Sequence, residues 1–185
     1  MNIRAIALRK AAKQVKKGGV IAYPTEGVFG LGCDPFNEDA VTRILQLKGR
    51  PVEKGVILIA SELSIFQPYL VELTDEQRQR MNSSWPGATT WVVPHNGSLP
   101  DWVTGGRDNV AIRVSGHPLA RTLCQRLQMP LVSTSANRSG EPAATTDPEV
   151  KQQLGSELDY VLTGKVLTPG QSSQIKDLIT QTQYR

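Results

Sequence analysis

Residues 130–140 read PLVSTSANRSG, and the stretch turns from apolar to polar within three positions. Its first part has the character of a buried strand, which we predict over residues 129–133. Hydroxyl groups follow at positions 133, 134, 135 and 139, together with the amide of Asn137. A surface turn does not need so many hydrogen-bonding groups, whereas α/β proteins bind ligands where strands run into polar loops. The stretch therefore predicts a strand followed by a hydroxyl-rich binding loop.

Helix and strand signals alternate outward from this stretch in both directions. Asn37 can cap a helix, and Thr74 with Gln77 three residues later resembles a capping box. Pro118 suits the first turn of another helix. Strands are predicted over residues 20–23, 56–60, 89–93, 110–114, 129–133, 159–162 and 175–179, and helices over 4–17, 37–48 and 117–127 and after 74 and 147. This order indicates one α/β domain with about seven strands.

The composition suits an ordinary globular domain. The chain has 185 residues, of which 39% are hydrophobic and 21% are charged. No apolar run approaches the ~20 residues that cross a bilayer. The N-terminal residues also lack the apolar block and the cleavage site of a secretory signal. We therefore expect a cytoplasmic protein without a membrane partner.

The net charge and the positions of the cysteines and histidines limit which ligands and reactions the sequence favours. The net charge of +4 favours anionic partners such as nucleotides, phosphates or RNA, without choosing among them. Cys33, Cys124, His95 and His117 stand apart from one another, whereas a zinc site needs clustered ligands. Cys33 has no histidine near it in the sequence, so we expect a small buried residue rather than a nucleophile.

Residues 23–34, YPTEGVFGLGCD, combine a strand end with three glycines. Glycine lets the backbone approach another group closely. The spacing fits neither the dinucleotide-binding fingerprint nor the phosphate-binding P-loop. We predict a glycine-rich turn here, with a structural or a ligand-binding role.

Residues 47–55, LKGRPVEKG, place Lys48, Arg50 and Lys54 within seven positions, with Pro51 as a stiff element between them. Arginine can bind phosphate with two parallel donors, and lysine supplies a compact charge. Cations also favour the negative end of a helix dipole, so a solvated helix end explains the same pattern.

Two further stretches stand out, SSWPGATTWVV at residues 83–93 and AIRVSGHP at residues 111–118. Trp85 in the first is expected to belong to the core. Arg113 in the second lies within an apolar strand, where a buried, unpaired charge would be costly. Either Arg113 faces solvent or an anion pairs with it.

In chain order, YPTE…GLG, K-x-RP, WPG-x-T, RV…HP and STSAN-x-SG resemble the YrdC/Sua5 family of threonylcarbamoyl-AMP synthases. The resemblance runs from about Arg4 to Arg185 and is similar to the short bacterial form, which lacks the extra C-terminal domain of longer members. It implies one YrdC-like domain over residues 4–185, with a twisted mixed sheet and flanking helices around a deep, positively charged cavity.

The resemblance also implies a reaction. Such a protein joins L-threonine, bicarbonate and ATP into L-threonylcarbamoyladenylate and releases pyrophosphate. The product serves the N6-threonylcarbamoyl modification of adenosine 37 in tRNA, which a separate threonylcarbamoyl-transferase complex performs. Magnesium is the expected companion of the triphosphate. No general base is evident, so the resemblance leaves the catalytic residue unknown.

The same resemblance implies roles for individual residues, and Lys54 is added to them as an extra cation next to K-x-RP. The expected ATP contacts are Lys48, Arg50, Lys54, Ser133, Ser135, Asn137, Ser173 and Arg185. The expected threonine contacts are Thr25, Arg113 and Thr134. Longer members read N-P-L-x-x-H after K-x-RP, whereas this chain has Lys54-Gly55-Val56 and no histidine through Ala60. The motif therefore does not define how threonine is oriented in the site.

Two other functions compete with this interpretation. A basic chain also suits an RNA-binding module of ribosome or tRNA maturation. For the synthase, by contrast, any binding of tRNA or other RNA is expected to be weak and electrostatic. Only 5% of the residues are aromatic, and no RNA-binding motif is evident, which disfavours that function. A paralogue that shares STSAN but carries out carbamoyl transfer or nucleotide binding without threonine is the other alternative.

Overall fold

Eight strands form one mixed sheet in the computed structural model, which describes residues 3–185. They are β1 (Ile21–Pro24), β2 (Phe29–Gly32), β3 (Ile57–Ala60), β4 (Thr89–Pro94), β5 (Asn109–Val114), β6 (Leu131–Ser135), β7 (Tyr160–Val161) and β8 (Gln174–Asp177). The strand order is β7-β1-β2-β6-β3-β5-β4-β8. The β1–β7, β3–β5 and β4–β8 pairs are parallel, and the other pairs are antiparallel. The predicted α/β class with a mixed sheet is confirmed.

The eighth strand is β2, which the sequence analysis treated as part of a glycine-rich turn. Gly30 and Gly32 occupy one face of β2, so the strand lacks the alternating side chains that would have marked it. Close packing explains the glycine at position 32, because a Cβ there would lie 2.6 Å from a ring carbon of Tyr23 and from the carbonyl oxygen of Val132. The missing side chains let the neighbouring strand residues pack directly against the backbone.

Strand β6 is shifted two residues toward the C-terminus from its predicted position. Ser135 pairs with Gly30 and Thr134 with Leu31 on β2, so these backbones continue the ladder. The prediction of a loop beginning after Ser133 was therefore wrong, since three of the four hydroxyls lie on the strand. A strand holds their positions more firmly than a loop would.

Six α-helices flank the sheet among the described residues, and most were predicted. They are α1 (Ile3–Lys16), α2 (Glu38–Leu47), α3 (Asp75–Asn82), α4 (Asp101–Thr104), α5 (Pro118–Leu127) and α6 (Asp147–Leu154). The side chain of Asn37 caps α2, and Thr74 with Gln77 forms the predicted capping box of α3. The single turn of α4 was not predicted. No helix within residues 3–185 is long and apolar enough to cross a membrane.

The two faces of the sheet are covered differently, and this places the site. Ile59 on β3 and Leu131 on β6 belong to a buried cluster that α1 and α5 complete. Two residues away along the same strands, Ile57 and Ser133 pair with each other. Because alternate side chains of a strand share a face, this pair lies on the same face as the cluster. Both residues line an open pocket, so helices cover only one end of this face.

Candidate functional site

A pocket of about 790 Å³ occupies the uncovered part of the sheet face. Its lining comes from β2, β3, β5 and β6, from the segment after α2, and from the segment that leads into β8. None of the described lining residues is an aspartate or a glutamate. The cationic lining residues are Lys48, Arg50, Lys54, Arg107, Arg113 and Arg185. Such a lining attracts anions strongly because the low-dielectric walls focus the field of the charges.

The fold brings all of the sequence-predicted site residues into this one pocket. They are Thr25, Lys48, Arg50, Lys54, Arg113, Ser133, Thr134, Ser135, Asn137, Ser173 and Arg185. Their assignment to ATP or to threonine stays a prediction. Arg107 and Asn109 also line the pocket and were not predicted. A signal existed for Arg107, which follows the glycines at positions 105 and 106 and lies two residues before the strand that carries Arg113.

Lys48 joins the end of α2 to the end of β6. Its Nζ donates to the backbone oxygens of Ser135 at 2.8 Å and Asn137 at 3.1 Å, and to Asn137 Oδ1 at 2.9 Å. Ser135 Oγ donates to the same Oδ1 at 2.6 Å. Burial, and then the charge of Arg50, lower the pKa of Lys48 to about 8. Lys48 is thus a fixed, half-buried ammonium group rather than a free surface charge.

Arg50 and Arg107 converge on one backbone oxygen. Arg50 Nη2 donates to Lys54 O at 3.2 Å, and Arg107 Nη1 approaches the same oxygen at 3.4 Å. Pro51 and the 3₁₀ turn Val52–Lys54 present that oxygen. Burial lowers the pKa of Arg50, and the nearby charges of Arg107 and Arg185 lower it further. Like charges held this close repel one another, and an anion bound between them would relieve that repulsion.

Arg113 has an internal partner, which resolves the two alternatives that the sequence left open. Its Nη1 lies 3.0 Å from Glu26 Oε2, and the two side chains are 7% and 8% exposed. Ser115 Oγ and the Gly116 amide donate to the other carboxylate oxygen, at 3.0 and 2.8 Å. Glu26 was not among the predicted site residues, because a residue 87 positions from its partner leaves no local signal in the sequence.

Thr25 and Ser173 each have a hydroxyl that already makes a contact. Thr25 Oγ1 donates to Val28 O at 2.7 Å, so toward a ligand it can only accept. Ser173 Oγ accepts from Thr90 Oγ1 at 3.1 Å and from Arg185 Nη2 at 3.3 Å. Arg185 Nε also donates to Ser173 O at 3.0 Å. Arg185 is thereby held at the wall of the pocket.

Other groups with reactive potential lie away from the pocket. Cys33 is buried as predicted, and burial raises the pKa of its thiol, which keeps it protonated and a poor nucleophile. His117 caps α5, and its Nε2 contacts Lys165 O at 2.9 Å. Neither histidine belongs to the lining. Within residues 3–185, no three His, Cys, Asp or Glu side chains cluster in a way that could hold a metal ion.

A family model and two curated proteins that match this chain point to the same family. The Sua5/YciO/YrdC family model, described as "Telomere recombination", matches residues 13–185. Two proteins named threonylcarbamoyl-AMP synthase align over 170 residues each. The one from Cellvibrio japonicus (strain Ueda107) is 51% identical over 92% of this chain and 90% of its own. The one from Pseudomonas paraeruginosa (strain DSM 24068 / PA7) is 53% identical over 92% and 91%.

Solved structures with the same fold include two at moderate sequence identity. P. abyssi Sua5 complexed with L-threonine superimposes with a TM-score of 0.87 at 32% identity, covering 93% of this chain. The match covers 51% of the P. abyssi protein, so this chain spans about half its length. E. coli YciO superimposes with a TM-score of 0.81 at 26% identity, covering 96% of this chain and 85% of YciO.

Proposed function

The chain belongs to the Sua5/YciO/YrdC family, and on this basis we propose that it is a threonylcarbamoyl-AMP synthase. It joins L-threonine, bicarbonate and ATP into L-threonylcarbamoyladenylate and releases pyrophosphate and water. The observation that carries the proposal is the pocket with six cations and no acidic side chain in its described lining, in a chain 51% identical to a protein of that name. The reaction class is nucleotidyl transfer, and the product serves threonylcarbamoylation of tRNA by a separate transferase complex.

The reaction brings two anions together and therefore needs dense positive charge. The amine of threonine adds to bicarbonate with loss of water, and a carbamate oxygen then attacks the α-phosphorus while pyrophosphate leaves. Preorganised donors that face the developing charge lower this barrier, and they act most strongly in a site shielded from water. Lys48, Arg50 and Arg107 stand near enough to one another to contact one triphosphate. Lys54 and Arg185 add charge at the rim.

The nucleotide is assigned to the end of the pocket that Ser133, Ser135 and Asn137 line. These residues supply directional donors and acceptors without adding charge. Ser173 also lines the pocket. Lys48 connects the triphosphate region to this end, because its Nζ contacts both Ser135 and Asn137.

Threonine is assigned to the end that Thr25, Arg113 and Thr134 line. A solved relative, P. abyssi Sua5, is described as complexed with L-threonine, which supports an amino-acid substrate for this chain. Arg113 is the cation for its carboxylate, and Thr25 Oγ1 is an acceptor for its hydroxyl or ammonium hydrogens. No histidine lines the pocket among the described residues, so this chain has no counterpart there to the histidine expected after K-x-RP in longer members.

Magnesium, when bound, neutralises part of the triphosphate charge and orients the phosphates. The described lining offers it no carboxylate, so we expect phosphate oxygens and water to hold the ion, with Ser and Thr hydroxyls as the available protein donors. The remaining barrier is assigned to positioning. Holding reactants in contact can supply up to ~7–11 kcal/mol without a conventional base.

Pyrophosphate release with each substrate omitted in turn tests the function. Release should need threonine, bicarbonate, ATP and magnesium together, and mass spectrometry should find the threonylcarbamoyl adenylate. Serine should serve poorly if the threonine methyl group fills an apolar niche, because such a methyl is worth ~1–3 kcal/mol. ATP cleavage that proceeds equally well without threonine, or an adenylate without the threonylcarbamoyl mass, would favour the threonine-independent paralogue instead.

A further inference from the structure

The buried carboxylate of Glu26 is the feature of this pocket to which neither the family resemblance nor the mechanism above assigns a role. It lies behind Arg113 and is 6% exposed. One oxygen accepts from Arg113 Nη1, and the other accepts from Ser115 Oγ and the Gly116 amide. The backbone of Glu26 is held as well, because its carbonyl oxygen accepts from the amides of Leu167 and Thr168 at 2.9 and 2.8 Å.

The contact to Glu26 uses Nη1 of Arg113 and leaves the other two nitrogens of the guanidinium group. Nε is enclosed by protein atoms and has no hydrogen-bond partner within the described residues, so a ligand cannot reach it directly. Nη2 has no protein acceptor within the described residues, and Arg113 lines the pocket. Nη2 is therefore the donor that remains for the carboxylate of a ligand.

We infer that Glu26 is a positioning residue that fixes the guanidinium group of Arg113 so that its Nη2 donor meets the carboxylate of the amino-acid substrate. The inference rests on the proposed function, in which Arg113 contacts threonine. Glu26 itself does not line the pocket and is 6% exposed, so it does not contact the substrate. It acts through Arg113.

A purely structural ion pair would make different predictions. Breaking such a pair would weaken the whole pocket, so the KM values for ATP and for threonine would rise together. A positioning role affects the threonine end alone.

The test compares steady-state kinetics of the full chain with Glu26→Gln. This variant keeps the shape of the side chain but removes its charge. We expect the KM for threonine to rise about ten- to a hundredfold, as for loss of one charge-assisted hydrogen bond, with the KM for ATP within about twofold of wild type. Glu26→Asp, which keeps the charge on a shorter side chain, should give an intermediate value. Glu62→Gln, at an exposed position, is the matched control.

A double-mutant comparison separates positioning from general damage. Arg113→Lys removes the guanidinium group, so adding Glu26→Gln to it should raise the threonine KM little further. Additive effects, or equal rises in both KM values, would overturn the inference. If Glu26→Gln does not fold, Ser115→Ala decides the question, since it removes one contact to Glu26 Oε1 and should raise the threonine KM alone by about two- to fivefold. An unchanged threonine KM there counts against the role. A wild-type protein that needs no threonine contradicts the proposed function rather than this inference.

Discussion

Replacing Asn137 with alanine should weaken both the fold and ATP binding. Asn137 Oδ1 accepts from Lys48 Nζ at 2.9 Å and from Ser135 Oγ at 2.6 Å. Its Nδ2 donates to the carbonyl oxygens of Arg138 and Glu141 at 2.9 and 2.8 Å. The variant removes all four contacts at once. Asn137 is therefore the centre of the loop and not only a ligand contact.

The expected loss of stability follows from where these contacts lie. The two backbone contacts are in an exposed loop, so water replaces them at little cost. The contacts to Lys48 and Ser135 are half-buried and should contribute roughly 0.5–1.5 kcal/mol each. A loss of about 1–3 kcal/mol lowers the Tm of a chain of this size by roughly 2–12 °C. Ser135→Ala removes the contact to Asn137 and a longer one from Lys48 Nζ at 3.3 Å but keeps the contact between Lys48 and Asn137, so it should lower the Tm less than Asn137→Ala does.

The assay pairs thermal unfolding with ATP affinity, both on the folded variant well below its Tm. The affinity for ATP should fall about tenfold or more, because the variant lacks the amide group and also the contact that orients the Lys48 ammonium group. Asn82→Ala, at the exposed end of α3, is the matched control and should change neither quantity. A variant that unfolds early yet binds ATP normally once folded would show that the loop is only a structural turn.

Three further outcomes can be measured on the same protein. Arg50→Ala should lower ATP-dependent turnover roughly ten- to a hundredfold with the fold intact, while Arg126→Ala on the exposed side of α5 should not; wild-type nucleotide affinity in Arg50→Ala would refute the phosphate contact. The ammonium group of Lys48, whose pKa is about 8, is charged below that pH, so ATP affinity should be full there and fall as the pH rises through it; a profile equally steep in Lys48→Arg would contradict this. RNA, if it binds, should bind with little sequence preference and a steep salt dependence, and tight selective binding that persists at high salt would favour the RNA-binding alternative.

The sequence predicted the elements whose signals are local. Asn37 and the Thr74–Gln77 pair cap their helices because a cap depends on residues three positions apart. The K-x-RP cations and the STSAN stretch were predicted to share one site, and the pocket contains both. Motif order along the chain made that prediction possible, since residues on different elements can be grouped only when a known family groups them.

What the sequence could not show depends on long-range packing. Strand β2 was not predicted because Gly30 and Gly32 remove the alternation of side chains that marks a strand. Glycine is needed at these positions because the ring of Tyr23 on another strand packs against them. Glu26 was not predicted as a site residue because its partner Arg113 is distant in the sequence. The shift of β6 depends on pairing with β2, so missing one strand misplaced the other.

The cations of the pocket are preorganised by neutral acceptors at one end and by a carboxylate at the other. Arg50 and Arg185 donate to backbone or hydroxyl oxygens, which hold them without cancelling their charge. Arg113 instead has part of its charge balanced by Glu26. A triphosphate is therefore favoured beside the uncompensated arginines, and a singly charged carboxylate suits Arg113, whose charge Glu26 partly balances. On the proposed function this difference orients the two substrates, because exchanging them would place the higher charge beside Glu26.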